Sequence, residues 1–188
     1  MSEKSLKDYQ DKRDFNQTRE PMDNKNASYD QPIFVIQKHD AQNLHYDFRI
    51  QSKGVLKSWA IPKGPSTDPS IKRLAIETED HPLDYADFEG VIPEGNYGGG
   101  KVIIWDKGPY ENHSNKNGNS LSVDQAYDKG HLSIWLKGEK LVGGYELVHM
   151  HDDQWLFIKS DDSEADARRK PTHTEPESVV SGKEVKDL

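Results

Sequence analysis

At 188 residues, with 32% apolar residues and no cysteine, the chain is long enough for one domain with a real core, and a disulfide framework is excluded. No apolar run is long enough to cross a membrane and no secretory leader pattern follows Met1, so a cytoplasmic protein is expected. The formal charge of -8 argues against a general nucleic-acid coat, because non-specific affinity for phosphates comes from Lys and Arg releasing counterions.

Residues 1–33 are polar, carry a net -1 and contain few aliphatics, and Ser5 to Gln10 could open one short capped helix. They read as an arm that orders where it touches the body or a ligand. From Phe34 to Arg73 the balance reverses, with seven bases against three acids. Short alternating runs begin here: Phe34 to His39, Leu44 to Ile50, Val55 to Ile61, Arg73 to Glu79, Lys101 to Trp105, His131 to Lys137, Tyr145 to His149 and Trp155 to Ser160. Turn signals separate them at Lys53-Gly54, Pro62 to Ser66, Pro93 to Gly100, Lys137 to Glu139 and His151 to Gln154. Ser122 to Gly130 is the clearest helix, with a capping-box pair at Ser122 and Gln125 and a terminating Gly130.

This pattern predicts a mainly β protein: a single closed or nearly closed antiparallel β-barrel of about eight strands with one or two short flanking helices. The expected division is a polar arm over 1–33, the barrel over 34–160, and a charged, mobile tail over 161–188. The glycine run "GNYGGG" precedes a strand rather than a helix and matches neither phosphate-loop pattern, so it reads as a tight structural turn.

The chemistry concentrates in "QKHDAQNLHYDFRI", Gln37 to Ile50. Strand side chains alternate, so His45, Asp47 and Arg49 share one face while Leu44, Tyr46, Phe48 and Ile50 share the other. Gln37 and His39 likewise share a face, and the break "DAQN" is short enough for a hairpin that brings His39 beside His45 and Asp47. Two imidazoles and a carboxylate make a facial triad with open positions, suited to manganese, iron or zinc. Arg49 is next on that face, and a guanidinium binds phosphate in a bidentate manner. Farther on, Arg73 and Glu79 are expected to share a strand face, and the chain to leave the strand at His81-Pro82, with Tyr85 close behind. His113, His131, His149, His151 and His173 have no comparable company and read as structural or solvated.

The stretches "RDFNQTREP", "HDAQNLHYDFRI", "SWAIPKGPS" and "KRLAIETEDHPLDYADFEGVIPEGNYGGGKVIIWD" resemble the 3'-phosphoesterase family, a module of bacterial DNA ligase D that also occurs free-standing. The likeness runs from Arg13 to about Ser160 and leaves no room for a polymerase or ligase module, which suggests the free-standing form. The resemblance implies a small barrel enzyme that, with manganese or with another divalent ion such as zinc or cobalt, trims DNA 3' ends. It would remove a terminal ribonucleoside and then the 3'-phosphate, leaving a 3'-hydroxyl. The family's metal-binding pattern falls on His39, His45 and Asp47, and its phosphate contacts on Arg49 and His81. Further active-site positions fall on Gln37, Lys63, Arg73, Glu79 and Tyr85, and the arm motif for ribonucleoside removal on Arg13, Asp14 and Glu20. The implied partners are DNA primer-template 3' ends and a separate ligase or polymerase, with the protein acting as a monomer away from membranes.

Two rival readings use the same residues. Two histidines and a carboxylate also serve iron oxygenases, and a non-catalytic module could hold DNA ends for a separate ligase. The arginines beside the triad favour an oxyanion, and the acidic net charge disfavours simple DNA holding. With neither a cysteine nor a serine in a nucleophile-elbow setting, a covalent route lacks support.

Overall fold

A computed structural model describes residues 6–25 and 28–188. The strands are β1 (Ile33–Asp40), β2 (Leu44–Ser52), β3 (Val55–Ile61), β4 (Lys72–Pro82), β5 (Gly90–Ile92), β6 (Gly100–Asn112), β7 (Asn115–Lys116), β8 (Asn119–Ser120), β9 (His131–Lys137), β10 (Val142–His151) and β11 (Gln154–Lys159). Three short helices, α1 (Lys7–Asp11), α2 (Val123–Asp128) and α3 (Pro171–Thr174), flank them. The order β1-β2-β3-β4-β11-β10-β9-β6 is closed by β1 pairing with β6, giving an antiparallel barrel of eight strands, and β5 hangs on β6 outside the ring. β7 and β8 form a separate two-residue pair that the sequence pattern did not mark. Among the described residues, no helix is long and apolar enough to cross a membrane.

α2 follows from its cap. Ser122 Oγ accepts from Gln125 N at 3.1 Å while Ser122 N donates to Gln125 Oε1 at 3.0 Å. The proposed cap of the arm helix, Ser5, lies outside the described residues, and α1 starts after Leu6 without a side-chain cap. What holds α1 is Tyr9, fully buried against the barrel wall.

Strand alternation produces two apolar layers. Phe34, Phe48, Trp59, Tyr145, Trp155 and Phe157 fill the barrel interior. Ile33, Val35, Leu56, Val102 and Ile104 face outward from the same strands, where Tyr9 and the segment Leu83, Tyr85, Phe88 and Ile92 cover them. This covered outer wall is where the site lies. Its cover includes the N-terminal arm, so the polar opening segment belongs to the packed body.

The segment after Ser160, expected to be mobile, lies along the barrel. Trp105 Nε1 donates to Glu175 O at 2.7 Å, Lys140 Nζ donates to the same carbonyl at 2.9 Å, and Val179 N donates to Ile104 O at 2.9 Å. Thr67 Oγ1 donates to Asp166 O at 2.7 Å. These contacts use main-chain carbonyls and hydroxyls, which hydropathy does not register, so a polar composition concealed a docked segment.

Candidate metal centre and active-site cavity

The β1–β2 hairpin sets His39 opposite His45 and Gln37 opposite Asp47, as the short "DAQN" break led one to expect. The two imidazole rings lie 4.7 Å apart. Asp47 Oδ2 is 3.5 Å from His39 Nδ1 and 3.2 Å from His45 Nε2, and the three residues offer ligand atoms within 4.8 Å of one another. The remaining nitrogen of each ring is tied to a main-chain carbonyl: His39 Nε2 donates to Gly98 O at 2.7 Å and His45 Nδ1 to Asn43 O at 3.0 Å. A ring nitrogen that donates carries the proton, so in each neutral imidazole the nitrogen facing Asp47 is bare.

The local charges agree with a cation site. Burial opposes protonation of His45, but the hydrogen bond and charge of Asp47 outweigh it and raise its pKa. Burial alone would push the Asp47 carboxyl up, yet the Arg49 charge, and the hydrogen bonds that His39 and His45 make to it only when protonated, hold it well below the usual carboxylate range. Two bare nitrogens around a fixed carboxylate, each ligand oriented from behind, fit a divalent metal.

Arg49 is 3% exposed. Its Nε donates to Gln37 Oε1 at 2.8 Å, its Nη2 is 3.5 Å from Asp47 Oδ2, and its Cζ lies 4.8 Å from the centre of the Tyr85 ring. Gln37 is fixed in turn by donating to Tyr85 O at 2.7 Å and Phe88 O at 3.0 Å. The Nη1 of Arg49 is buried and has no partner among the described residues.

His81 closes the other side. β4 continues through it to Pro82, so it is a strand residue opposite Leu56 rather than the loop residue expected. A register shift between Leu56 and Ser58 accounts for a second difference. Arg73 stands opposite Phe157 and so on the interior-facing side of β4, whereas Glu79 lies within the shift, between Thr78 and His81, and lines the cavity; the two do not share a face. His81 Nδ1 donates to Glu79 O at 2.9 Å, leaving Nε2 to face Arg13 Nη2 at 3.5 Å. Burial, then the charges of Arg49 and Arg13, push its pKa well below the usual histidine value, so it is neutral.

The arm reaches the cavity through Arg13. Its Nε donates to Glu20 Oε2 at 2.9 Å, its Nη1 to Glu79 Oε1 at 3.4 Å, and Glu20 also accepts from Tyr85 Oη at 2.7 Å. Arg13, His39, Asp47, Arg49, His81 and Tyr85 thus border one open cavity of about 220 Å³. Gln37 and Glu20 do not line it but hydrogen-bond residues that do, Arg49 and Arg13; three other expected site residues are not brought there. Asp14 is exposed and accepts from Asn16 N at 3.0 Å within its own turn, Lys63 is exposed in the turn after β3, and Arg73 lies off the cavity wall. Sequence reasoning missed Thr78, Tyr97 and Gly98, which do line it. The run "GNYGGG" is the tight turn expected, with Gly99 N donating to Asn96 O at 3.0 Å, but its Gly98 carbonyl also orients His39. Tyr97 inside a glycine run was the available signal.

Fold and site together define an antiparallel β-barrel with a two-histidine, one-carboxylate centre and a buried arginine on its outer wall. Residues 37–149 match the family described as the DNA Ligase D 3'-phosphoesterase domain. The chain is 46% identical over 188 residues to the multifunctional non-homologous end joining protein LigD of Pseudomonas aeruginosa, covering 96% of this chain and 22% of that protein. It is 43% identical over 152 residues to the LigD DNA repair protein of Mycobacterium tuberculosis (79% and 19%), and 39% identical over 161 residues to LigD of Mycolicibacterium smegmatis (84% and 21%). The chain belongs to the DNA ligase D 3'-phosphoesterase domain family, and it spans about a fifth of the length of these relatives.

Proposed function

We propose that this chain is a manganese-dependent DNA 3'-end-healing phosphoesterase, which removes a 3'-terminal ribonucleoside and then the 3'-phosphate to leave a 3'-hydroxyl. One observation carries the reading: the Nη1 of Arg49, buried and without a partner among the described residues, belongs to a side chain that lines the same cavity as His39, His45 and Asp47. An orphaned buried donor costs about 1–3 kcal/mol, which an anionic oxygen in the cavity would relieve. Imidazole and carboxylate donors accept manganese, zinc or cobalt alike. When bound by His39, His45 and Asp47, the metal supplies Lewis acidity toward a phosphoryl oxygen or a water molecule.

The chain's own residues do the rest. Arg49 binds the phosphate and offsets the charge that builds on its oxygens, held in place by Gln37. Neutral His81 presents an unprotonated Nε2 that can accept a proton from the attacking water, and the imidazolium so formed can return that proton to the oxygen that leaves. Arg13 and Glu20 hold the arm over the cavity, where it contacts the ribonucleoside of a diester end; Glu79 and Tyr85 anchor that pair. Gln37 and Glu20 act from behind the wall through their bonds to Arg49 and Arg13, whereas Lys63, Arg73 and Asp14 do not line the cavity and have no part in this reading. The substrates are primer-template 3' ends, healed for a ligase or polymerase, and the names of the relatives point to non-homologous end joining as the setting.

The test is conversion of labelled primers ending in a 3'-ribonucleotide or a 3'-phosphate to a 3'-hydroxyl product, with and without manganese. His39→Ala, His45→Ala and Asp47→Ala should each abolish both conversions while circular dichroism shows a folded barrel, since none of the three belongs to the interior core. Near wild-type, manganese-dependent turnover in any one of them removes the metal assignment.

A further inference from the structure

The mouth of the cavity carries an aromatic ring that the chemistry above does not use. Tyr97 is 47% exposed and lines the same cavity as the metal-ligand set. Its position is fixed relative to that set, because the next residue's carbonyl, Gly98 O, receives the hydrogen bond from His39 Nε2 at 2.7 Å. Asn96 N donates to Pro93 O at 3.2 Å and Gly99 N to Asn96 O at 3.0 Å, so the ring rides on a hydrogen-bonded turn. From the arm, Lys12 Nζ and Arg13 Cζ stand 5.0 and 5.2 Å from the ring centre. Both are within cation–π range, and Lys12 is held there by Glu79 at 3.1 Å.

We infer that Tyr97 is the stacking platform for the ribonucleoside that leaves in the diesterase step, and therefore a specificity residue separating diester from monoester ends. The inference rests on the reading of the cavity as a 3'-end phosphoesterase. An exposed ring bordered by cations, at a fixed offset from a phosphate-accepting arginine and a metal centre, matches a nucleoside linked to a phosphate: a flat π-face beside an anion. The arm cations belong to the same recognition, since they border Tyr97 and would neutralise phosphate charge near it. A bare 3'-phosphate has no nucleoside beyond the phosphorus and so nothing to place on this ring.

The experiment uses the full chain with Tyr97→Ala and Tyr97→Phe, and two matched primers, one ending in a ribonucleotide and one in a 3'-phosphate. With manganese, Tyr97→Ala should shift the ratio of the two KM values roughly 5- to 100-fold against the ribonucleotide primer, the range of a lost base–aromatic stack, with kcat changed little, and Tyr97→Phe should restore the wild-type ratio. Fluorescence anisotropy of the same primers without metal gives a readout independent of turnover, and Tyr97→Ala should weaken the ribonucleotide primer selectively. Equal loss on both primers, or a failure of Phe to rescue, would show Tyr97 to be only a latch between arm and turn and overturn the inference. If the wild type turns over neither primer, the catalytic reading fails, and selective, Tyr97-dependent binding in the metal-free assay still decides whether the ring stacks a nucleoside.

Discussion

Replacing Glu20 by Ala tests whether the arm is a working part of the site. Glu20 is 4% exposed, and its carboxylate accepts from Arg13 Nε at 2.9 Å, Tyr85 Oη at 2.7 Å and Thr18 Oγ1 at 3.0 Å. Removing one member of a buried ion pair typically costs about 3–5 kcal/mol, because the surviving charge is left without compensation. Here Glu79 still lies 3.4 Å from Arg13, which reduces the cost to about 2–4 kcal/mol. The barrel need not bear that cost. The arm can instead lift off and return Arg13 to water, a local opening that leaves the β1–β2 hairpin intact. In Glu20→Ala, amide hydrogen exchange should therefore rise over residues 7–20 and stay slow in β1 and β2. Cleavage of a 3'-ribonucleotide end should fall at least about tenfold more than dephosphorylation of a 3'-phosphate end, a difference of about 1.4 kcal/mol in transition-state binding. Glu20→Gln should be milder, because an amide oxygen can still accept from Arg13 and Tyr85 while its nitrogen donates to Thr18. Unchanged arm protection would refute the ion-pair argument, and equal loss of the two activities would mean that the arm only stabilises the fold.

Other consequences follow from the same geometry. Arg49→Lys keeps the charge but loses the fork that joins Gln37 to the cavity, so kcat for 3'-phosphate removal should fall about 10²- to 10³-fold with manganese affinity by titration nearly unchanged; retention of a tenth of the rate would displace Arg49 from the site. His81 is buried beside Arg49 and Arg13 and titrates well below its ordinary 6.5, so its contribution to stability is complete above 6.5 and is lost as pH falls below that value toward the depressed folded pKa. Urea unfolding of wild type and His81→Gln between pH 7 and 5 should then show their difference shrinking by up to about 1.4 kcal/mol per pH unit, and parallel curves would mean that His81 is not held neutral. His45, whose pKa is raised, acts in the opposite window, above 6.5, and does not mask this slope. Gly100 has φ +147°, and a Cβ there would lie 2.3 Å from Asp40 O, so Gly100→Ala should destabilise the fold by about 1–3 kcal/mol. Calorimetry should register this as a Tm drop of about 2–4 °C per kcal/mol, and an unshifted Tm would contradict the close approach.

The barrel and the grouping of His39, His45 and Asp47 were legible in the sequence because both depend on local periodicity. A period of two sends Tyr46, Phe48 and Ile50 inward and His45, Asp47 and Arg49 outward whatever the rest of the chain does, and a four-residue break forces His39 back beside them. The capping pair Ser122 and Gln125 is equally local. The arm's place in the cavity was not local: Arg13 meets Glu79 and His81 across more than sixty residues, and only its resemblance to a known motif gave that polar segment a role. The register shift that turns Arg73 away from Glu79 is likewise invisible in a strand pattern, because a bulge is set by the neighbouring strand. So is the docking of residues 161–188, part of which rests on hydrogen bonds to main-chain carbonyls, such as Glu175 O, that carry no side-chain signature. Tyr97 and Gly98 enter the site for the same reason: a turn brings a carbonyl to the far nitrogen of His39, and tertiary structure alone decides which carbonyl it meets.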